Sequence, residues 1–108
     1  MSENLQLKKI RKALISVYHK EGLEEIVNEL NNSGVEIIST GGTYDFLRSR
    51  GIPVTAVEEI TGYPSVFGGR VKTLHPKVFG GILYRRDLEN DLAQRDEFNI
   101  PDIDLVIV

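Results

Sequence analysis

Short apolar runs alternate with amphipathic segments in the first half of the chain, and this alternation does most to limit the fold class. ALISV at residues 13–17 and VEIIS at residues 35–39 are continuous runs rich in branched side chains, which is typical of buried strands. Between them, apolar residues recur at the spacing of one helix face: Leu23, Ile26, Val27 and Leu30. The order strand, helix, strand predicts parallel strands joined by right-handed crossovers, and so an α/β fold with a parallel sheet flanked by helices.

The same alternation continues along the chain, with one long interruption. The further predicted elements are a helix, a strand, a charged helix and a strand, at residues 44–50, 53–57, 87–98 and 103–108 in that order. Leu88 and Leu92 are expected to face the core from the charged helix. Residues 58–84 contain three glycine-containing clusters and two prolines, so we expect mostly loop there, with a short helix near residues 77–81.

The ends of the sequence suggest how the domain is organised. In an open α/β sheet, a buried strand such as the one at residues 103–108 is normally followed by a turn and a crossover. We therefore expect residues 12–108 to be the front portion of a larger domain, incomplete at its C-terminus. Residues 1–11 are polar and end in a basic cluster, and we expect them to be a solvated lead-in to the first strand.

Composition excludes several classes of function. The hydrophobic and charged fractions, 41% and 27%, are those of an ordinary globular chain, and the net charge of −3 argues against binding nucleic acid through a broad basic surface. The absence of cysteine excludes disulfides and thiolate metal sites, and two histidines argue against structural zinc. No apolar stretch near the start is long enough for a signal peptide or a membrane span, so we expect a cytoplasmic location and no membrane partner.

Two polar segments follow the first two predicted strands, and so are expected at the same edge of the sheet. Lys20 stands just before a helix, where its charge and the helix amides can hold an anion. In STGGT, at residues 39–43, the glycines let the backbone approach a ligand closely, while Thr40 and Thr43 offer hydroxyl donors. Taken singly, each segment is also what an ordinary turn requires, with Thr43 as the N-cap of the next helix. The glycine spacing of STGGT is neither that of a Walker loop nor that of a dinucleotide fingerprint.

A third polar segment, GGRVKTLHP at residues 68–76, lies in the long irregular stretch after the third strand. Arg70 and Lys72 can pair with a phosphate or polarise a carbonyl, Thr73 can donate a hydrogen bond, and His75 adds an imidazole. A solvated basic loop is the alternative, but its position on a long loop, between paired glycines and a proline, favours function. The residues alone thus predict a site for an anionic, phosphorylated small molecule, and they leave its reaction open.

Beyond the separate motifs, one continuous stretch resembles a known family. EEITGYPSVFGGRVKTLHPKVFGGILYRR, together with STGGT, resembles the N-terminal IMP cyclohydrolase domain of the bifunctional purine-biosynthesis family, which also carries an AICAR formyltransferase domain. The resemblance runs from about Lys12 to the end of the chain. It implies a methylglyoxal-synthase-like fold and closure of 5-formamido-imidazole-4-carboxamide ribotide to IMP with loss of water. It also implies a homodimer and no metal or cofactor for this step, since 10-formyltetrahydrofolate serves only the formyltransferase domain, which this sequence lacks.

The resemblance also implies which residues bind the ribotide. They are Tyr18, His19 and Lys20 in the first segment, Thr40, Gly41, Gly42 and Thr43 in the second, and Arg70, Val71, Lys72 and Thr73 in the third. Lys20 and the second segment are expected to hold the 5′-phosphate, and the third segment is expected to lie nearer the base. Ring closure places negative charge on the formyl oxygen, and the resemblance makes Lys72 the residue expected to polarise that oxygen.

The sequence departs from the family pattern in two respects. Many members carry Ser-Asp where Tyr18 and His19 stand, which leaves Lys20 as the firmest contact of the first segment. The family's later site residues would follow the last strand, so we expect this chain alone to be inactive or nearly so. Two alternatives share the fold: a methylglyoxal-synthase-type lyase, which lacks GRVKTLHP, and a non-catalytic nucleotide-binding regulatory domain like that of carbamoyl phosphate synthetase.

Overall fold

The computed structural model describes residues 9–64 and 73–108, and these form one parallel sheet with helices on both faces. The strands are β1 (Lys12–Ile15), β2 (Glu36–Ser39), β3 (Thr55–Ala56) and β4 (Leu105–Ile107), in the spatial order β3-β2-β1-β4. The helices are α1 (Leu23–Asn32), α2 (Gly41–Ser49), α3 (Val57–Thr61), α4 (Pro76–Leu83) and α5 (Glu89–Glu97). The predicted α/β class with a parallel sheet is confirmed. None of the described helices has the length and apolar character needed to cross a membrane.

Two apolar clusters cover the two faces of the sheet. Along β1, Ala13 and Ile15 join the cluster beneath α1 and α2, whereas Leu14 joins the cluster on the face of α3 and α4. This follows from the two-residue period of a strand, which sends successive side chains to opposite faces. Because both faces are covered, the last three residues of β1 and the two central residues of β2 are all apolar and buried, which is why these strands are recognisable as apolar runs in the sequence. Of the predicted α1 face, Leu23 and Val27 are buried, Leu30 packs at the margin of the cluster and Ile26 remains half exposed.

Two sequence predictions outside the central strands were wrong, one on the third strand and one on Leu88. The third strand is only two residues long, because Val57 begins α3 and is buried on the α3–α4 face of the sheet. Within residues 58–84, α4 lies where a short helix was expected near residues 77–81, whereas α3 was not predicted. Leu88 does not face the core: it precedes α5 and is exposed, while Leu92 is half-buried. No residue of α5 is buried, so the helix lies at the periphery of the described structure.

Helix α4 confirms the short helix expected near residues 77–81 and extends beyond it at both ends, although it contains the glycine pair Gly80-Gly81. A Cβ on Gly81 would collide with the carbonyl oxygen of Pro101, so the glycine permits the chain entering β4 to lie directly against the helix. The N–H of Ile103 donates to the Gly81 carbonyl at 3.0 Å across this contact. His75 begins the helix, since its Nδ1 accepts the N–H of Lys77 at 3.0 Å, and Pro76 occupies the first helical position.

A polar network joins the amino end of the sheet to the end of α4. Asp104, just before β4, accepts the backbone N–H groups of Arg11 and Lys12 at 2.9 and 3.3 Å. It also pairs with Arg86 at 3.5 Å, and Arg86 donates to the carbonyls of Ile103 and Gly81 at 2.8 and 3.2 Å. The Asp104 side chain is only 4% exposed, so the network is part of the folded core rather than a surface ion pair.

Beside this network, Tyr84 and Asp102 form a second polar contact that shifts both side-chain pKa values. The Tyr84 hydroxyl donates to Asp102 at 2.7 Å, and Arg95 donates to the same carboxylate at 3.2 Å. Burial and the hydrogen bond to Asp102 raise the pKa of Tyr84. Burial alone would raise the pKa of Asp102, but the bond from Tyr84 and the charges of Arg95 and Arg86 outweigh it and lower that pKa.

Candidate functional site

The carboxyl ends of β1 and β2 lie side by side, and the two loops that leave them meet. Ile15 and Ser39, the last residues of these strands, are partners in the parallel register, and the Ser39 hydroxyl donates to the Ile15 carbonyl at 2.6 Å. The loop after β1 leads to Lys20, and β2 leads directly into α2 through Thr40. The first two predicted polar segments therefore converge at one edge, as the strand order requires.

Lys20 is held by backbone carbonyls rather than by a carboxylate. Its Nζ donates to the carbonyl oxygens of Val17 and Tyr18 at 3.0 and 3.1 Å. Within the described ranges no acidic side chain forms an ion pair with it. An ammonium group has three N–H donors, so two are engaged here and one remains for a ligand. The site thus has a cation whose charge the neighbouring described residues leave unmatched.

The start of α2 completes a cradle for an anion next to this lysine. Thr40 is the N-cap with extended backbone, and Gly41 follows with a φ of +55°, a left-handed conformation that favours glycine. A Cβ built on Gly42 would lie 3.9 Å from the Lys20 Nζ, so the glycine leaves the space beside the ammonium open. The unbonded N–H groups of the first helical turn and the positive end of the helix dipole favour an anion here.

Thr40 has a buried hydroxyl with no partner. The residue is 7% exposed, its side chain makes no capping bond, and its Oγ1 has no hydrogen-bond partner among the residues that the structure describes. Burying a hydroxyl without a hydrogen bond costs about 1–3 kcal/mol. An unpaired hydroxyl beside an unmatched ammonium and a helix N-terminus is the arrangement that a phosphate oxygen would satisfy.

Thr43 has a different environment from the one predicted. The N-cap of α2 is Thr40, not Thr43, because the left-handed Gly41 lets the helix begin earlier. The buried Thr43 hydroxyl instead bonds both polar groups of one residue of the neighbouring loop: it accepts the Val17 N–H at 3.1 Å and donates to the Val17 carbonyl at 3.0 Å. The prediction that Thr43 contacts the ligand is untested, but its hydroxyl proton is engaged elsewhere in this structure.

The other residues predicted to bind the ligand do not all join this cradle. Tyr18 is 89% exposed and His19 is also exposed, and their rings meet edge to face with centroids 5.0 Å apart. Thr73 is half-buried. The remaining members of the third segment, Arg70, Val71 and Lys72, lie outside the described residues.

One residue of the third segment has a role that its sequence motif did not reveal. His75 caps α4 through its imidazole, as described above. The histidine followed by proline is the signal that was available, since a proline at the first helical position marks a helix start. No group of three or more His, Asp or Glu side chains suited to a metal ion occurs in residues 9–64 and 73–108.

Comparison with known proteins gives a consistent set of relatives. The chain is 62% identical, over all its 108 residues, to the bifunctional purine biosynthesis protein PurH of Bacteroides thetaiotaomicron, of which it covers 21%. It is 50% identical over 97 residues to PurH of Aquifex aeolicus, covering 90% of this chain and 19% of that protein. It is 49% identical over 104 residues to PurH of Natranaerobius thermophilus, covering 96% and 20%. The chain thus spans about a fifth of the length of these relatives.

Structural and family comparisons agree with this. The crystal structure of ForH superposes with a TM-score of 0.81 at 40% sequence identity, covering 91% of this chain and 51% of that one. Residues 22–108 match the model of the MGS-like domain family. This match spans most of the chain, from the residue before α1 to the end of β4, and it shows that the chain belongs to the MGS-like domain family.

Proposed function

We propose that this chain provides the phosphate-binding part of an IMP cyclohydrolase site in purine biosynthesis. The observation that carries the proposal is the buried, unpaired Thr40 hydroxyl at the start of α2, next to the unmatched Lys20 ammonium. The identity of 62% to a bifunctional purine biosynthesis protein supports the same assignment.

The three groups at this edge suit a phosphate monoester. Such a phosphate carries nearly two negative charges at neutral pH and has three acceptor oxygens. Lys20 offers a charged donor, Thr40 offers a hydroxyl donor, and the first turn of α2 offers backbone N–H groups. Charge-assisted hydrogen bonds of this kind are about twice as strong as neutral ones, so the phosphate is the part of a ribotide that we expect to anchor it.

The proposed reaction needs only polarisation and proton transfer. The carboxamide nitrogen attacks the formyl carbon, a carbon–nitrogen bond forms, and the carboxamide proton ends on the former formyl oxygen. The resulting hydroxyl then leaves as water, with the proton of the formamide nitrogen, as the ring's carbon–nitrogen double bond forms. We assign to Lys72 the stabilisation of charge on the formyl oxygen, and to Arg70 and Thr73 a position near the base. Neither a metal nor a cofactor is part of this scheme, and the homodimer and the cytoplasmic location remain predictions.

Ligand binding tests the phosphate site directly on the 108-residue chain. We expect calorimetry or NMR titration to show binding of IMP and much weaker binding of inosine, which differs only in lacking the phosphate. Lys20→Met should weaken IMP binding by about tenfold or more through loss of a charge-assisted bond. Lys9→Met removes an exposed charge elsewhere and serves as the matched control. Equal affinity for IMP and inosine would refute the phosphate site.

Turnover tests the assigned chemistry in the protein whose gene contains this sequence. Lys72→Ala should abolish cyclisation of the formylated ribotide while leaving IMP binding measurable. Unchanged cyclisation would refute the role of Lys72. Release of methylglyoxal from dihydroxyacetone phosphate would favour the lyase alternative, and IMP binding without any turnover would favour the regulatory one.

A further inference from the structure

The two threonines of STGGT differ in what their hydroxyl protons do. Thr43 is 3% exposed, and its one hydroxyl proton is donated to the Val17 carbonyl, while a lone pair accepts the Val17 N–H. A hydroxyl has a single proton, so in this arrangement Thr43 has no side-chain donor left for an anion. Thr40 is also buried, but its proton has no acceptor among the described residues. Of these two threonines, only Thr40 therefore has a hydroxyl proton left for a phosphate.

Val17 connects Thr43 to Lys20. Its carbonyl oxygen accepts both the Thr43 hydroxyl and the Lys20 ammonium, each at 3.0 Å, and its N–H is held by Thr43 as well. With both backbone polar groups bound by one side chain, the peptide planes on either side of Val17 cannot rotate without breaking a hydrogen bond. The carbonyl that orients Lys20 is therefore itself oriented by Thr43.

The first turn of α2, which contains Thr43, also lies close to the Lys20 ammonium. Thr43 lies in the first turn of that helix, directly after Gly42, whose Cβ position would be 3.9 Å from the Lys20 Nζ. The same short helical turn thus borders the open space beside the ammonium and anchors the loop that carries it. Loss of the anchor would let the lysine and the start of α2 separate.

We propose that Thr43 is a positioning residue of the phosphate site, which holds the Val17 backbone so that Lys20 stands beside the N-terminus of α2. It gives the ligand no side-chain hydrogen bond. The inference rests on the proposed function, because it requires that Lys20 bind the phosphate. It departs from the prediction that Thr43 binds the ligand as Thr40 does.

A double-mutant cycle distinguishes positioning from direct contact. The probe is IMP, titrated into the 108-residue chain and its Thr43→Val, Thr43→Ser, Lys20→Met and Thr43→Val/Lys20→Met variants. Thr43→Val, which keeps the shape and removes the hydroxyl, should weaken IMP binding about tenfold. Thr43→Ser keeps the hydroxyl and should stay within about twofold of the unmodified chain. With Lys20 already replaced, Thr43→Val should change the affinity by less than about twofold, since there is no ammonium left to position.

The opposite results would overturn the inference. If Thr43→Val weakens binding by the same factor with and without Lys20, Thr43 contacts the ligand independently. If Thr43→Val leaves the affinity unchanged, or Thr43→Ser is as weak as Thr43→Val, the hydroxyl does not position Lys20.

A second measurement applies even if Thr43→Val does not fold. Hydrogen exchange of the Val17 amide in the unmodified chain reports whether Thr43 keeps its bond to Val17 when IMP binds. Retained or increased protection supports positioning, and loss of protection on adding IMP shows that the hydroxyl has turned to the ligand. Failure of the unmodified chain to bind IMP would overturn the proposed function and this inference together, whereas binding with additive mutant effects overturns the inference alone.

Discussion

The two ends of the sheet use polar side chains in opposite ways. At the carboxyl ends of β1 and β2, Lys20 has no carboxylate partner in the described part of the chain, and the buried Thr40 hydroxyl has no acceptor. At the amino ends, the buried carboxylate of Asp104 accepts two backbone N–H groups and pairs with Arg86. The carboxyl ends of the strands thus present a charge and hydrogen-bond donors without partners among the described residues. At the amino ends, the polar groups bond to one another and join the strands to α4.

The difference shows that a buried polar atom without a hydrogen-bond partner indicates a ligand site only when the groups around it also lack partners. Among the residues that the structure describes, the buried Nε of Arg86 has no hydrogen-bond partner, and neither has the Thr40 hydroxyl. However, the Arg86 guanidinium is already matched by Asp104 and lies 4.3 Å from the centre of the Tyr84 ring, so an anion would meet no unmatched charge there. Tyr84, whose pKa is raised, and Asp102, whose pKa is lowered, also lie near this structural network. In this molecule the shifted pKa values belong to structural contacts, whereas the proposed binding site is supported by a cation and a buried hydroxyl that lack partners among the described residues.

The largest effect that we expect from this comparison follows Asp104→Ala. The change leaves the N–H groups of Arg11 and Lys12 and the Arg86 guanidinium without their acceptor, which should lower the free energy of unfolding by about 3 kcal/mol. Urea unfolding measures the loss, and Asp104→Asn, which keeps one acceptor oxygen, should lose less. The IMP affinity of the folded variant should stay within about twofold of the original. A loss below about 0.5 kcal/mol would show that the network is not structural.

At the opposite end, Thr40→Val should change stability and binding in opposite directions. Valine removes a buried hydroxyl that makes no capping bond and has no partner in residues 9–64 and 73–108, so the free energy of unfolding should rise by about 1 kcal/mol. IMP affinity should fall about tenfold, because the phosphate loses a donor. Thr40→Ser keeps the hydroxyl and is the control. Destabilisation by Thr40→Val would mean that the hydroxyl has a structural partner after all.

The two neighbouring glycines of α2 should separate stability from binding in a similar way. Gly41→Ala should cost about 1 kcal/mol of stability, because alanine is strained at a φ of +55°. Gly42→Ala should be tolerated by the fold, since its Cβ meets only the Lys20 Nζ at 3.9 Å, yet it should weaken IMP binding severalfold by filling that space. Thermal unfolding and IMP titration of the two variants give both numbers. If Gly42→Ala binds IMP normally, the phosphate does not lie beside Lys20.

The smallest expected effect is a pH dependence confined to the structural end. Because the pKa of Tyr84 is raised, its contribution to stability is complete below the unfolded value of about 10 and is lost as pH rises through the folded value. Because the pKa of Asp102 is lowered, its contribution is complete above about pH 4 and is lost as pH falls through the folded value. Urea unfolding across pH measures both. Tyr84→Phe should flatten the alkaline side and, because the bond from Tyr84 helps to lower the pKa of Asp102, should also weaken the acid side. An unchanged alkaline slope in Tyr84→Phe would assign that slope to another group.

Local pattern was enough to predict the parallel sheet and the meeting of Lys20 with STGGT. Both follow from short-range periodicity and from the rule that loops after parallel strands share an edge. The roles of the two threonines could not be predicted, because Thr43 is bound to Val17, 26 residues away. The structural network was equally hidden, since Arg11 and Asp104 are 93 residues apart. Helix α4 was predicted near residues 77–81 but with too short an extent, because its glycines resemble loop signals when their tertiary contacts are unknown.

The contact between Gly81 and Pro101 limits how this region can vary. A side chain at position 81 would meet the Pro101 carbonyl, whereas a Cβ at position 80 would meet only the Ile100 side chain, at 3.4 Å. In a library randomised at both positions and selected for folding, position 81 should therefore return glycine alone, while position 80 should also accept alanine. How far the sequence can vary where α4 packs against the chain entering β4 is thus limited by the need for a residue without a Cβ at position 81.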